Sequence, residues 1–284
     1  MSFTLVSTVF NEIKRLNQTI LDIESQTLKP SEIIITDAGS NDGTFERLLE
    51  WSHSSEIPVV ILQKPKCNVA EGRNLAIQKA KYELIVSTDF GCRFDPNWLA
   101  SIVEPFNDPC IKVVGGAYNV IEDEIISISS KAAYILSNGY QCSLDSNFIP
   151  SSRSIAYHRQ IWEHVGGYPE WLTLAADDFV FGLMLKKKGI NIYLVDKPYV
   201  YWGRHVSPEA YGKEALRYGQ GDGEAQVNLR NFISTSVETL MRWSILFVLP
   251  AILLVYGFFT FYFYYILALM PFFFGTPLLQ KCFN

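Results

Sequence analysis

"LIVSTDFGCRFDPNWL", residues 84–99, leads an apolar run directly into an aspartate, Asp89, and then into a glycine, Gly91. The apolar residues do not alternate with polar ones, which is typical of a strand buried on both faces of a sheet. A carboxylate at the end of such a strand either bonds its own backbone or faces a ligand. The role of Asp89 therefore depends on the residues that follow the neighbouring strands.

The first half of the chain alternates such strands with helical patterns. The other strand-like runs are FTLVSTV (3–9), EIIIT (32–36), PVVILQ (58–63) and IKVVGGA (111–117). The helical patterns are an apolar stripe that starts at Ile13, TFERLLEWSH (44–53) and VAEGRNLAIQKAK (69–81). This order predicts an α/β fold with a mainly parallel central sheet and right-handed crossovers. Ligands of such sheets bind at the carboxyl ends of the strands.

Composition excludes some classes of partner and site. The 284 residues include 24 basic and 29 acidic side chains, a net charge of −5, which argues against a nucleic-acid partner. Five cysteines, an odd number without CxxC spacing, indicate neither a disulfide framework nor a zinc site. We expect them to be reduced, mostly buried thiols in a cytosolic environment.

The two ends of the sequence differ sharply. The N-terminus has no basic lead or long apolar run, so we expect no signal peptide. Residues 243–279 carry no charge; as one helix they would extend about 55 Å, beyond a bilayer core of about 30 Å. We therefore expect a membrane anchor over 233–284, a helical hairpin turning near 257–261; a buried pair of core helices is the alternative. Arg242 and Lys281 both suit a cytoplasmic side.

Three strand ends carry acids: Glu12, Asp37 and Asp89. Each alone is explained by helix capping or by a turn. Together at one sheet edge they would repel one another unless a cation or hydrogen-bond donors share the site. The sequence therefore predicts an acidic, ligand-binding edge.

These segments resemble a known family. VSTVFNE, EIIITDAGSNDGT, GRNLAI and STDFGCRFDPNWL look like the donor half of family 2 glycosyltransferases, which have the GT-A fold and use nucleotide-diphospho-sugars. The resemblance continues through FIPSSRSIAYHRQIWEHVGGYPEWL, AADDFVFGLMLKKKG and RYGQGDGEA, and covers roughly residues 2–230.

The resemblance implies roles for individual residues. Thr8, Glu12 and Asp37 would line the nucleoside pocket. Arg73 would lie near the nucleotide, and Asp89 would hold Mg²⁺ or Mn²⁺ on the diphosphate. Such an ion would neutralise the departing nucleoside diphosphate.

Two departures from the family pattern affect the donor site. Ala38 replaces the second of two adjacent aspartates, which leaves the identity of the nucleotide open. Gly91 stands where the second acid of an Asp-x-Asp metal motif would be, so Asp89 is a lone carboxylate. Phosphates and water could complete the shell of a hard ion. His205 is a possible further ligand, with a structural role as the alternative.

Inverting sugar transfer also needs a general base, and the candidates are Asp177 and Asp178. Both begin a helical pattern, where an acid is also stabilised by the helix dipole. Neighbours on a helix point in different directions, so we expect one to cap the helix and the other to face the acceptor. By resemblance the base is Asp178, which leaves the capping role to Asp177.

Two more segments contribute candidates. Arg153 and Arg217 could contact the diphosphate or an anionic acceptor, although structural roles explain them equally well. The glycines at 219, 221 and 223 predict a loop there, which could close over the site.

We therefore expect a membrane-anchored, metal-dependent, inverting glycosyltransferase of polysaccharide biosynthesis, with a nucleotide-sugar donor and a lipid-linked or glycan acceptor. The predicted domains are a cytoplasmic catalytic domain over 1–232, with a nucleotide-binding half to about 118 and an acceptor half over 119–232, and the anchor over 233–284. The alternatives are an inactive sugar-nucleotide-binding scaffold, favoured by the missing second metal acid, and a nucleotidyltransferase. The latter usually has a Gly-rich basic loop near its first strand, which STVFNE lacks.

Overall fold

The computed structural model describes residues 1–140, 148–173, 175–227 and 229–255, together with positions 265, 268 and 269. Its internal contacts divide the chain into two compact units, Met1–Ala225 and Gln226–Asn284. The predicted boundary after residue 232 and the predicted division near 118 stay predictions.

Within the described residues, eight strands form one mixed sheet. The strands are β1 Phe3–Val9, β2 Glu32–Asp37, β3 Val59–Gln63, β4 Leu84–Ser87, β5 Arg93–Phe94, β6 Val113–Val120, β7 Ile155–His158 and β8 Ile192–Trp202. Their order across the sheet is β3-β2-β1-β4-β7-β6-β8-β5.

Among the described residues, helices pack on both faces of this sheet, and further helices belong to the C-terminal unit. They are α1 Ile13–Glu24, α2 Thr44–Ser54, α3 Val69–Lys79, α4 Trp98–Val103, α5 Ile128–Leu136, α6 Arg159–Val165, α7 Asp177–Lys187, α8 Pro208–Ala225, α9 Leu229–Trp243 and α10 Leu249–Val255.

The sheet has a parallel half and a mixed half. Strands β3, β2, β1 and β4 are all parallel, joined by α1, α2 and α3, as the alternating pattern predicted. β7 then runs antiparallel to both β4 and β6, while β8 is parallel to β6. The α/β class is confirmed, and the carboxyl ends of β1, β2 and β4 meet at one edge.

Alternating side chains divide the core between the two faces of the sheet. Leu5 and Ile33 are fully buried in one cluster, with residues of α1, α2 and α4. Val6 and Ile85 belong to a second cluster, with residues of α3, α6 and α7. Burial on both faces explains why these strands are apolar throughout.

The predicted loop at 219–223 was wrong, because α8 runs unbroken from Pro208 to Ala225. Gly221 is buried, and a Cβ there would lie 2.9 Å from Ala175. That glycine therefore allows α8 to approach the segment before α7 closely. Beside Gly219 and Gly223, by contrast, there is open space. Tertiary contact thus overrides the low helix propensity of glycine.

In the described part of the C-terminal unit, one helical stretch, Phe232–Ile252, is long and apolar enough to cross a membrane by length and composition alone. An 18-residue window of this stretch has a mean hydropathy of 1.3, and none of that window is buried. A π-helical turn, Ser244–Val248, joins α9 to α10. The stretch begins before the uncharged run, and the predicted hairpin turn near 257–261 lies outside the described residues.

The three described cysteines are free, and their burial differs from expectation. Cys92 is buried, Cys67 is half-buried and Cys110 is exposed. The prediction of mostly buried thiols is therefore wrong for this part of the chain. Cys142 and Cys282 lie outside the described residues.

Gly72 generates a stability prediction, because a Cβ there would lie 2.5 Å from Thr8 Cγ2 where α3 packs on β1. We expect Gly72→Ala to destabilise the full chain by about 1–3 kcal/mol through overpacking. Gly212→Ala is the matched control: it lies within α8 with open space around it, and should stabilise by about 0.5–1 kcal/mol. Denaturant unfolding in detergent would measure the free energy of unfolding of both variants. Equal changes in the two would contradict the close packing of Gly72 against Thr8.

Candidate active site

The acidic edge forms where β1, β2 and β4 end. Residues Phe3–Val6 of β1 pair in register with Leu84–Ser87 of β4, so the segments that carry Glu12 and Asp89 leave the sheet side by side. Ser7 Oγ donates to the carbonyl of Thr88 at 2.8 Å, and Thr88 Oγ1 donates to the carbonyl of Arg153 at 2.8 Å. Asp89 therefore projects from a fixed backbone.

Asp37 is fully buried, and its carboxylate is hydrogen-bonded to the loop that follows it. Its Oδ2 accepts hydrogen bonds from the backbone N–H groups of Gly39 at 3.0 Å and Ser40 at 3.1 Å. This is the turn-forming arrangement that an aspartate after a strand favours. The contacts fix the 37–40 loop, and the nucleoside role of Asp37 stays a prediction.

Arg73, on α3, connects the acidic edge to α7. Its side chain is 1% exposed; Nη2 donates to Asp89 Oδ1 at 2.7 Å and Nη1 to Asp177 Oδ2 at 2.5 Å. The guanidinium also lies over the ring of Tyr168, 4.8 Å from its centroid. Burial acts to lower the pKa of Arg73, but Asp177 and Asp89 outweigh it and raise the pKa. Arg73 is thus a permanently charged bridge between two carboxylates.

The predicted capping role of Asp177 is wrong. The N-cap of α7 is Ala176, in a left-handed conformation with φ 70°, and no side chain caps this helix end. The carboxylate of Asp177 bonds to Arg73 instead. Burial raises the pKa of Asp177 to about 6; Arg73 opposes this rise, and Asp178 and Asp89 add to it. Because its carboxylate is bonded to Arg73, Asp177 positions the start of α7 and does not cap it.

Asp178 points to a different partner, as expected of neighbours on a helix. Its Oδ2 accepts from Ser151 Oγ at 2.8 Å and from the backbone N–H of Ser152 at 3.2 Å. Its Oδ1 accepts from the backbone N–H of Phe179 at 2.8 Å. Arg153 Nη1 in turn donates to Ser151 Oγ at 2.9 Å. Asp178 is therefore oriented by the segment that precedes β7.

Arg153 lies between Asp89 and an aromatic ring. Its Nε is buried without a hydrogen-bond partner and is 4.0 Å from Asp89 Oδ2. Its guanidinium is 4.0 Å from the ring centroid of Trp202, and Arg204 lies at the same distance from that ring. Glu214 neutralises Arg204 through two hydrogen bonds of 2.9 and 2.6 Å. Arg153 is paired less closely, with Asp89 at 4.0 Å, so part of its positive charge is available to an anion.

Glu12 adjoins Gly91 at the same edge. A Cβ at Gly91 would lie 2.8 Å from Glu12 Oε2, so the carboxylate fills the space beside the glycine. Burial raises the pKa of Glu12 to about 7; Arg15 opposes this rise, and the charges of Asp89 and Asp42 add to it. Within the described ranges no three His, Cys, Asp or Glu side chains meet as a metal cluster. Two hard carboxylates nevertheless suit a Mg²⁺ or Mn²⁺ ion that takes its other ligands from phosphates and water.

The other predicted residues have different contacts. His205 Nε2 is 3.8 Å from Glu214 Oε1, and its ring packs edge-on against Tyr211. Arg217, on α8, lies over the ring of Tyr218. Thr8 Oγ1 donates to the carbonyl of Val69 at 3.2 Å. The roles predicted for His205 in metal binding, Arg217 in phosphate binding and Thr8 in nucleoside binding stay predictions.

Sequence reasoning missed three residues that build the site: Ser151, Tyr168 and Trp202. The clustered hydroxyls of PSSRS were a usable signal for Ser151, since such side chains commonly bond nearby polar groups. No local signal marks Tyr168 or Trp202, because their contacts with the arginines join residues distant in sequence.

The bridge through Arg73 gives a direct prediction. Arg73→Met should destabilise the full chain by about 3–5 kcal/mol, because it leaves Asp177 largely buried without its charge partner. Arg47→Met is the control at an exposed pair, 3.8 Å from Glu50, and should cost about 1 kcal/mol or less. Adding Asp177→Asn to Arg73→Met should recover part of the loss. Denaturant unfolding would measure the free energy of unfolding of each variant. If Arg73→Met and Asp177→Asn lower it by strictly additive amounts, the ion pair between the two residues is contradicted.

Solved structures resemble this fold at low sequence identity. A mannosyltransferase from Pyrobaculum calidifontis, PcManGT, in complex with GDP-Man and Mn²⁺, gives a TM-score of 0.58 at 19% identity, covering 78% of this chain and 63% of that one. S. aureus TarS 1-349 in complex with UDP-GlcNAc gives 0.55 at 17% identity, covering 78% of this chain and 66% of that one. At this identity the likeness shows the fold alone, and it confirms the GT-A type.

Sequence relatives are similarly distant. The O-antigen chain rhamnosyltransferase WbaN of Salmonella anatum is 27% identical over 196 residues, 65% of this chain and 61% of that protein. Glycosyltransferase AglE of Haloferax volcanii is 19% identical over 176 residues, 61% of this chain and 58% of that protein. The chain thus matches about three fifths of the length of each relative. The sequence profile described as Glycosyl transferase family 2 matches residues 4–166, more than half of the chain, and the protein belongs to that family.

Proposed function

We propose that this chain is a membrane-associated, metal-dependent glycosyltransferase that moves a sugar from a nucleotide-diphospho-sugar to a lipid-linked or glycan acceptor, with inversion. The observation that carries the proposal is the joined charge arrangement at the sheet edge. Asp89 and Asp177 share Arg73, and the buried Nε of Arg153 lies 4.0 Å from Asp89 without a hydrogen-bond partner. Carboxylates for a cation, guanidinium groups for phosphates and acids at α7 are what such a transfer requires.

The donor would bind with its diphosphate beside Asp89 and Arg153, which lie 4.0 Å apart. A Mg²⁺ or Mn²⁺ ion held by Asp89 would supply charge neutralisation for the leaving diphosphate. Arg153 offers a second positive charge, and Trp202 and Ser151 restrict where its guanidinium can lie. We keep Thr8 and Asp37 as proposed nucleoside contacts and His205 as a proposed further metal ligand.

Asp178 is the proposed base. As the acceptor hydroxyl attacks the anomeric carbon, its O–H bond breaks and Asp178 takes the proton while the bond from sugar to diphosphate breaks on the opposite face. Ser151 and the Ser152 N–H hold Asp178 Oδ2, which fixes the orientation of the carboxyl group. Asp177 positions the start of α7 through Arg73 and is not the base in this proposal.

The proposed acceptor and location rest on one relative and on one apolar helix. The relative WbaN is named an O-antigen chain rhamnosyltransferase, so we propose a lipid-linked or cell-surface glycan as the acceptor class. Phe232–Ile252 could cross a membrane by length and composition. Arg242 lies inside that stretch and therefore does not indicate which side of the membrane the catalytic unit occupies; we propose the cytoplasmic face.

Paired variants of the α7 acids test the mechanism. Asp178→Asn keeps the shape and most hydrogen bonds but removes proton acceptance, so we expect single-turnover transfer to fall about 10²-fold or more with donor binding nearly unchanged. Asp177→Asn should lower thermal stability, because Arg73 loses a charged partner, and should retain much more of the transfer rate.

Transfer rate and thermal stability would be measured for both variants, as full chain in detergent. Loss of transfer in a folded Asp177→Asn, with Asp178→Asn active, would reverse the two roles. An inactive wild type that still binds a nucleotide sugar would favour a scaffold.

A further inference from the structure

Gly91 marks the place where this chain lacks an expected acid. It follows Asp89 by two residues and has φ 89°, a left-handed conformation that glycine adopts easily. A side chain there would start 2.8 Å from Glu12 Oε2 and 3.2 Å from the carboxyl carbon of Glu12. The space beside Gly91 is therefore already occupied by a carboxylate from another strand end.

The backbone around Glu12 fixes this position. The Glu12 N–H donates to Thr44 Oγ1 at 2.8 Å, and its carbonyl accepts from the N–H groups of Arg15 and Leu16 at the start of α1. Asn11 precedes it with φ 57°. Held between α1 and α2, Glu12 stays beside the loop that follows β4.

The Glu12 carboxylate differs from the other acids of the edge in what it bonds. Backbone N–H groups satisfy Asp37 and Asp178. Within the described ranges the Glu12 carboxylate accepts no hydrogen bond, although it is only partly exposed and near the negative charge of Asp89. The positive charge of Arg15 also acts on Glu12, but the Arg15 guanidinium donates its hydrogen bonds to Glu124. A carboxylate in that situation is stabilised best by a cation that it shares with its neighbour.

We propose that Glu12 is the second carboxylate ligand of the divalent cation held by Asp89, supplied from the end of β1 in place of the acid missing at Gly91. This inference rests on the proposed function, and it replaces the nucleoside role that the resemblance implied for Glu12. The site would take a hard ion such as Mg²⁺ or Mn²⁺, with the remaining positions filled by diphosphate oxygens and water.

Mn²⁺ binding, followed by electron paramagnetic resonance on the full chain in detergent, tests the proposal without an activity assay. The titrations would use Mn²⁺ alone and Mn²⁺ with UDP, GDP or dTDP. Glu12→Gln and Asp89→Asn should each weaken Mn²⁺ binding about 10-fold or more, because each removes one charged ligand. Glu50→Gln, an exposed acid on α2 whose side chain is 73% exposed, should bind as the wild type does.

A rescue variant separates a ligand from a merely structural residue. In Glu12→Ala with Gly91→Asp, the obstructing carboxylate is gone and a new one projects from position 91, so we expect Mn²⁺ affinity to return to within a few-fold of wild type. Glu12→Ala with Gly91→Ala adds a side chain to the same left-handed backbone without a carboxylate and should not recover. Thermal unfolding would confirm that each variant is folded.

The outcomes distinguish failure of the Glu12 assignment from failure of the proposed metal site. Unchanged Mn²⁺ affinity in Glu12→Gln, with loss in Asp89→Asn, would overturn the inference and leave the metal site intact. Weaker nucleotide binding by Glu12→Gln without metal, and normal Mn²⁺ binding, would return Glu12 to the nucleoside pocket and also overturn it. No Mn²⁺ binding by the wild type with any of the three nucleotides would overturn the metal part of the proposed function together with the inference.

Discussion

The buried guanidinium of Arg73 is the interaction on which the site depends. It is 1% exposed and bonds both Asp89, after β4, and Asp177, at the start of α7. Taking a charge out of water is costly unless it is paired and hydrogen-bonded, so the loop after β4 and the first turn of α7 must lie where their carboxylates reach it. Arg73 therefore fixes the position of the acidic edge of the sheet relative to α7, the helix that carries the proposed base.

This constraint explains why two adjacent acids on α7 behave differently. Asp177 is directed to Arg73, while Asp178 is directed to Ser151 and Ser152. A second connection returns from Ser151 through Arg153 to the vicinity of Asp89. In the proposed mechanism Asp178 takes the proton, while Asp177 positions the helix start through Arg73.

Much of the fold could be predicted from sequence because its elements are determined locally. Unbroken apolar strands and the stripe beginning at Ile13 specify buried parallel strands and their crossover helices, which β1–β4 and α1–α3 confirm. The wrong predictions concern segments whose conformation is set by contacts between residues distant in sequence. The packing of Gly221 against Ala175 lets α8 continue through a glycine-rich segment, and the pairing with Arg73 takes Asp177 away from capping.

The candidate site was predictable to a similar extent. Asp89, Arg73 and Arg153 could be named from motifs, and the structure brings these three together. The place of Glu12 beside Gly91 depends on the adjacency of β1 and β4, and the stacking of Arg153 on Trp202 joins β8 to the segment before β7. Neither contact leaves a signal in local sequence, because each is set by the order of strands.

Release of free nucleoside diphosphate by the wild-type chain in detergent would be measured with a panel of nucleotide-diphospho-sugars, Mg²⁺ or Mn²⁺, and a membrane lipid extract as the source of acceptor. We expect the chain to consume at least one donor, to require the divalent ion, and to stop when a chelator is added. If no donor releases its diphosphate, or if the chelator leaves the release unchanged, the chain is not the metal-dependent glycosyltransferase proposed above.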